Sequence, residues 1–169
     1  MKKYLFLLFI VSLTSCSSKK DKPLTETDKV NLLLNNWHKA AAETNFNNYF
    51  EAMTEDAIFI GTDATENWNK TEFQAFAKPY FDKGKAWNFK TLERNIYFNP
   101  DNKIAWFDEL LDTQMKICRG SGVVVKTNEG WKIKHYVLSM TIPNDDSNAV
   151  IKIKTQIEDQ LIKDLKAKK

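Results

Sequence analysis

Apolar residues recur every three or four positions from Thr25 to Thr44 (Val30, Leu33, Leu34, Trp37, Ala41), which predicts an amphipathic helix capped by Thr25 with Asp28 three residues on. Phe46, Tyr49, Phe50 and Met53 fall at helical spacing and predict a shorter second helix after Asn45. Ala57-Ile58-Phe59-Ile60 is a short β-prone run closed by Gly61. A third helix is expected from Thr71, where Thr71 and Gln74 read as a capping box and Phe73, Phe76, Ala77 and Tyr80 form its apolar face. Pro79 is expected to kink or end it, with Gly84 as terminator.

From Trp87 the period becomes that of strands. Trp87 to Phe98, Ile104 to Thr113, Met115 to Lys126 and Trp131 to Ile142 are four runs joined by short turns, which implies antiparallel neighbours. Helices followed by a meander give an α+β domain with helices on one face of a sheet. Beyond Pro143, Val150, Ile153, Ile157, Leu161 and Leu165 draw a narrow apolar stripe on a further amphipathic helix, with Ser147 as a cap. Its expected role is to pack on the body or on a second subunit.

Strand parity then assigns faces. Lys132 and Lys134 toward water place Trp131, Ile133, His135 and Val137 inside. Lys126, read the same way, places Val125, Val123, Ser121 and Arg119 inside, unless a bulge at Gly120 or Gly122 intervenes. Tyr136, Leu138, Met140 and Ile142 then form an apolar outer stripe, which predicts a homodimer, or else a C-terminal helix folded over it.

The N-terminus adds an address. Lys2 and Lys3 precede the apolar run Tyr4 to Leu13 and then Leu13-Thr14-Ser15-Cys16, the layout of a secretory signal too short to span a bilayer. Small residues before a cysteine, with polar residues after it, resemble a bacterial lipobox in which Cys16 is acylated. The expected organisation is a signal peptide at 1–15, a tether at 16–24, a domain at 25–143 and a C-terminal helix at 144–169. The expected location is the cell envelope, with the domain tethered to a membrane through Cys16.

Of the 169 residues, 43% are hydrophobic, enough for one core. The formal net charge of +3 falls close to zero once Lys2 and Lys3 leave with the signal, so no nucleic-acid partner is implied. With Cys16 acylated, Cys118 lacks a disulfide partner and reads as a small buried apolar residue. His38 and His135 are the only histidines and do not make a metal site; no cofactor is implied, and there is no phosphate loop or nucleophile elbow.

The order of elements, with "NNWHKAAAETNFNNYFEAMTEDAIFIGTD", "CRGSGVVVK" and "GWKIKHYVLS", resembles the SnoaL-like branch of the nuclear transport factor 2-like superfamily over about Thr25 to Pro143. That resemblance implies a cone, in which a curved antiparallel sheet wraps the N-terminal helices and leaves a pocket at the open end. The superfamily holds cyclases, isomerases and dehydratases beside binding and dimerisation domains, so the fold alone does not give the function. Its enzymes work with a carboxylate or an Asp/His pair in an apolar cavity. Here the expected cluster is His135, Arg119 and one carboxylate. Asp108 and Glu109 face opposite ways and Asp108 is the expected member; Asp56 and Asp63 are further candidates. Trp37, Tyr49, Phe59, Trp68, Tyr80, Trp106 and Ser121 are the expected pocket wall. The function expected is binding of a small, largely apolar molecule. A cyclase, isomerase or dehydratase and a dimerisation module with a filled pocket are the alternatives.

Overall fold

The computed structural model describes residues 22–168. The expected signal segment and lipobox, Cys16 included, lie outside the described residues, as does most of the expected tether.

The first helix, α1, spans Glu26–Ala42 and begins with a full capping box between Thr25 and Asp28. α2 (Phe46–Glu51) follows, capped by Asn45. β1 (Met53–Ile60) is longer than its β-prone core, and a short β2 (Asn67–Asn69) follows it. α3 (Lys70–Asp82) starts two residues earlier than expected, because Asn69 with Glu72 forms the capping box rather than Thr71 with Gln74. It continues through Pro79 to Asp82, one amide donor short, and Gly84 in the left-handed region (φ 64°) follows its end. The meander is β3 (Lys90–Phe98), β4 (Ile104–Thr113), β5 (Lys116–Thr127) and β6 (Gly130–Met140). A 3-10 turn, Asn144–Asp146, leads into α4, Ser147–Ala167. Ser147 is thus the first residue of that helix rather than its cap, and the capping position, Asp146, makes no side-chain capping bond.

The strands form one curved six-stranded sheet in the order β2-β1-β6-β5-β4-β3. All neighbours are antiparallel except β1 and β6, which run parallel. α1, α2 and α3 pack on the concave face, where Trp37, Tyr49, Phe73, Leu111, Ile133 and Tyr136 are wholly enclosed. This is the α+β architecture expected. Cys118 is buried and free, and its sulfur lies 3.5 Å from the Thr113 hydroxyl.

Two parity assignments are overturned. In β6 the register slips at Lys134: Val123 pairs with His135, but Val124 pairs with Ile133. Lys134 is the extra residue of a bulge, and its ammonium meets Asp56, where β1 also breaks register. Past the bulge every side chain changes face. Trp131 and Ile133 point inward as expected, but so do Tyr136 and Leu138, while His135 and Val137 turn outward. The outer stripe of Tyr136, Leu138, Met140 and Ile142 therefore does not exist; only Met140 and Ile142 are exposed.

In β5 the misleading residue is Lys126. It shares the core parity of Cys118, Gly120, Gly122 and Val124, but sits where the strand runs past the layer above it. There it pairs with Glu26 at 3.0 Å and lies 5.9 Å above the Trp131 ring. Arg119 and Ser121 are consequently on the outer face.

Candidate functional site

Two features occupy the concave side: a buried ionic network and an aromatic cavity. The network centres on Glu109 of β4, whose side chain has no exposed surface. His38 of α1 places Nε2 2.8 Å from Oε1, and the Tyr136 hydroxyl donates to the same oxygen at 3.0 Å. Arg94 of β3, opposite Glu109 in the ladder, donates from Nε at 2.9 Å and Nη2 at 2.7 Å to Oε2. The guanidinium is held in turn by Asn31, Asn35 and Thr91. Burial pushes the Glu109 carboxyl up, but the hydrogen bonds and charges of His38 and Arg94 outweigh it and hold it below the usual carboxylate range. Burial and the Glu109 charge push the Tyr136 phenol up, so it stays protonated and donates.

Room for this network comes from the glycines of β5. A Cβ on Gly120 would lie 2.1 Å from the Tyr136 hydroxyl oxygen and 3.0 Å from Glu109 Cγ. A Cβ on Gly122 would lie 2.5 Å from the His135 carbonyl oxygen and 2.9 Å from the Phe107 ring. These residues do not host the bulge; they keep the inner face of the strand flat beneath large side chains.

The cavity lies apart from the network, separated by a layer of rings. It has a volume of about 160 Å³. One wall is a run of near-parallel rings: Phe59 on Phe73 at 3.9 Å and Trp68 on Phe76 at 4.4 Å. Trp87, Phe89, Met115 and Leu138 close the other sides. Gly61, Thr62 and Glu66 of the β1–β2 loop and Gln114 of the β4–β5 turn complete the lining with its polar groups. Glu66 is the carboxylate on this wall, and it accepts the Asp63 amide at 3.1 Å. Tyr136 packs 5.6 Å from Phe59, but none of Glu109, Arg94, His38 and Tyr136 lines the cavity.

The expected site residues separate accordingly. Phe59 and Trp68 line the cavity, and Tyr80 lies in the adjoining groove beside Phe76 and Trp87. Trp37 and Tyr49 are core residues stacked at 4.9 Å. Trp106 is on the outer face, stacked 6.1 Å from Tyr97. Asp108, Arg119, Ser121 and His135 are outward as well. Asp108 accepts from Asn95 at 3.3 Å, and among the described residues no hydrogen bond or ion pair joins it to Arg119 or His135. The expected cluster of those three is therefore not formed; the inward carboxylate is Glu109, with His38 and Arg94 as partners. Of the further carboxylates, Asp56 pairs with Lys134 and Asp63 bonds Thr65 within its own loop.

Three signals pointed toward the network. His38 follows Leu34 at i+4 on the core face of α1, Glu109 alternates with Phe107 and Leu111, and the G-x-G of β5 leaves space opposite it. Arg94, in a strand of mixed polarity, carried none.

A curved sheet closing over three helices around an aromatic cavity defines the cone class of α+β proteins. The chain belongs to the SnoaL-like domain family, whose model matches residues 30–143. No curated protein matches it in sequence. Among solved structures it is similar to a domain of unknown function with a cystatin-like fold from Nostoc punctiforme (16% identity, 87% of this chain and 98% of that one, TM-score 0.62). It is also similar to a protein provisionally called a dehydratase of the NTF2-like family from Streptomyces avermitilis (12% identity, 69% and 96%, TM-score 0.59). A third is an NTF2-like protein of unknown function from Pseudomonas putida (10% identity, 72% and 92%, TM-score 0.58). At these identities the likeness is one of fold.

Proposed function

We propose that the protein is a binding module of the cell envelope, tethered through acylated Cys16, whose cone takes up a small apolar molecule with a ring that fits between Phe59, Trp87 and Leu138. The observation that carries this reading is the separation of the cavity from the buried charges. The aromatic walls offer apolar area and stacking geometry. Glu109, the one fully enclosed carboxylate among the described residues, already accepts four hydrogen bonds and is held ionised, which suits a strut between α1 and the sheet better than a proton carrier. A cyclase, isomerase or dehydratase needs a carboxylate free to exchange a proton with bound substrate, whereas Glu66, the carboxylate on the cavity wall, is engaged by the Asp63 amide of its own loop.

A homodimer belongs to the same proposal, on a revised surface. The outer face of the sheet carries Val123, Val125 and Val137, half-buried, beside Ile104 and Trp106, which are 43% and 48% exposed. This apolar face has the character of a contact surface.

Tryptophan fluorescence tests the binding reading, because Trp68 and Trp87 line the cavity. Toluene and ethylbenzene are expected to titrate the emission saturably. Phe76→Ala, which removes the ring stacked on Trp68 at the rim, should weaken both about tenfold, a loss of about 1.4 kcal/mol. Titrations that never saturate, or that Phe76→Ala leaves unchanged, would remove the cavity from the function.

A further inference from the structure

α4 carries its apolar stripe without burying it. Ile153 and Ile157 are 77% and 76% exposed, and no residue of the helix is buried. Helices in proteins draw most of their stability from packing an amphipathic face, so a stripe of bare isoleucines points to something that covers them. The stripe faces the body across a gap. Ile153, Ile157 and Leu161 form one wall of a groove of about 590 Å³, and the β1–β2 loop from Thr62 to Thr65 forms the other. Thr62 also belongs to the wall of the aromatic cavity, so groove and cavity meet at that residue.

Size and charge then restrict the occupant. The cavity alone, at about 160 Å³, is of the volume that accommodates a single benzene ring. That is below the range of about 300–1,000 Å³ usual for ligand sites, and the groove brings the combined space within it. The groove is acidic: Asp63, Glu158 and Asp164 line it against Lys154, which is already paired with Glu158 at 2.9 Å. Glu66 adds a carboxylate on the cavity side of Thr62. A carboxylate or phosphate head would meet repulsion there, whereas an ammonium would not.

We propose that the ligand is an elongated amphiphilic amine, its ring in the aromatic cavity, its chain passing Thr62 beneath Ile153 and Ile157, and its ammonium among Asp63, Glu158 and Asp164. This rests on the cavity being a binding site. α4 is then the second wall of that site, and the bound chain supplies the apolar surface its stripe lacks.

The test is calorimetric titration with four probes: toluene, 2-phenylethylamine, 8-phenyloctan-1-amine and 8-phenyloctanoic acid. A fully buried methylene is worth about fourfold in affinity, so the six added in the long amine, partly covered, should tighten binding at least tenfold over 2-phenylethylamine. The long acid should bind several-fold more weakly than the long amine. The double variant Ile153→Asn/Ile157→Asn alters two exposed side chains, so the fold is not at risk, and it should remove the gain with chain length while leaving toluene unchanged. Equal affinity for long and short amines, or a length gain that survives the double variant, would overturn the proposal while toluene binding keeps the cavity reading intact. An acid that binds as tightly as the amine would overturn the ammonium head. Failure of toluene and both amines to bind would remove the cavity reading and this extension together.

Discussion

Gly120→Ala is the most demanding perturbation of the buried network. Its added Cβ would stand 2.1 Å from the Tyr136 hydroxyl oxygen, 2.8 Å from its Cζ and 3.0 Å from Glu109 Cγ. Tyr136 is 1% exposed and packed against Trp37 at 4.8 Å and Phe107 at 6.1 Å, so the ring has no free direction in which to move. Relief requires the hydroxyl to leave Glu109, which costs about 1.5–3 kcal/mol for a hydrogen bond to a charged group. Overpacking adds about 1–3 kcal/mol. The expected destabilisation is therefore ~2.5–6 kcal/mol, read in urea as a lower midpoint at unchanged slope. Tyr136→Phe removes the hydroxyl alone, leaves Glu109 three donors, and should cost about 1.5–3 kcal/mol. In the double variant the hydroxyl is no longer there to be displaced. Its cost should fall short of the sum of the singles by at least about 1 kcal/mol, the coupling expected of residues in contact. Additive costs, or a Gly120→Ala change within about 0.5 kcal/mol of zero, would refute the claim that this glycine exists to admit the Tyr136–Glu109 bond.

Three further outcomes follow from the same structure. Glu109→Gln should destabilise by about 3–5 kcal/mol, because Arg94 is left buried against a neutral partner. Since the folded Glu109 carboxyl titrates below its ordinary value of 4.5, its contribution is complete above that pH and is lost as pH falls through the folded-state value. Thermal melts between pH 6 and 2 should show an acid limb that is shallower in Glu109→Gln; parallel limbs would contradict the assignment. On the outer face, Trp106→Lys should convert a dimer to a monomer in light scattering at tens of micromolar, and a monomeric parent protein would rule the dimer out. At the N-terminus, Cys16→Ala should shift the protein from the membrane to the soluble fraction and abolish metabolic labelling by a palmitate analogue; a soluble, unlabelled parent would remove the anchor.

The elements were legible because their signals are local. Thr25 with Asp28 caps α1, apolar residues at three and four mark its inner face, and polar turns separate the four long strands. Faces were less legible, since parity propagates any error along a strand. Lys134 looks like Lys132 in the sequence, yet it is the extra residue of a bulge, and its ammonium meets Asp56 on a strand nearly eighty positions earlier. The bulge moved His135 out and Tyr136 in, exchanging the expected catalytic histidine for a tyrosine. Lys126 misled for another reason: a strand-end residue on the core parity reaches water when the helix above it ends, here at Glu26. The network was hidden because its four members come from α1, β3, β4 and β6, and only the fold brings them together. The cavity was half legible: Phe59 and Trp68 belong to it, whereas Trp37 and Tyr49 carry the same aromatic signal as core.

The measurement closest to the central claim is a crystal soaked with bromobenzene and recorded at the bromine absorption edge. An apolar cavity of about 160 Å³ walled by Phe59, Trp87 and Leu138 should yield an anomalous peak among those side chains. Such a peak should vanish in a variant whose cavity is filled by Met115→Trp. Bromine sites confined to the outer face of the sheet or to α4, with none between the rings, would contradict the reading of this cone as a binding site.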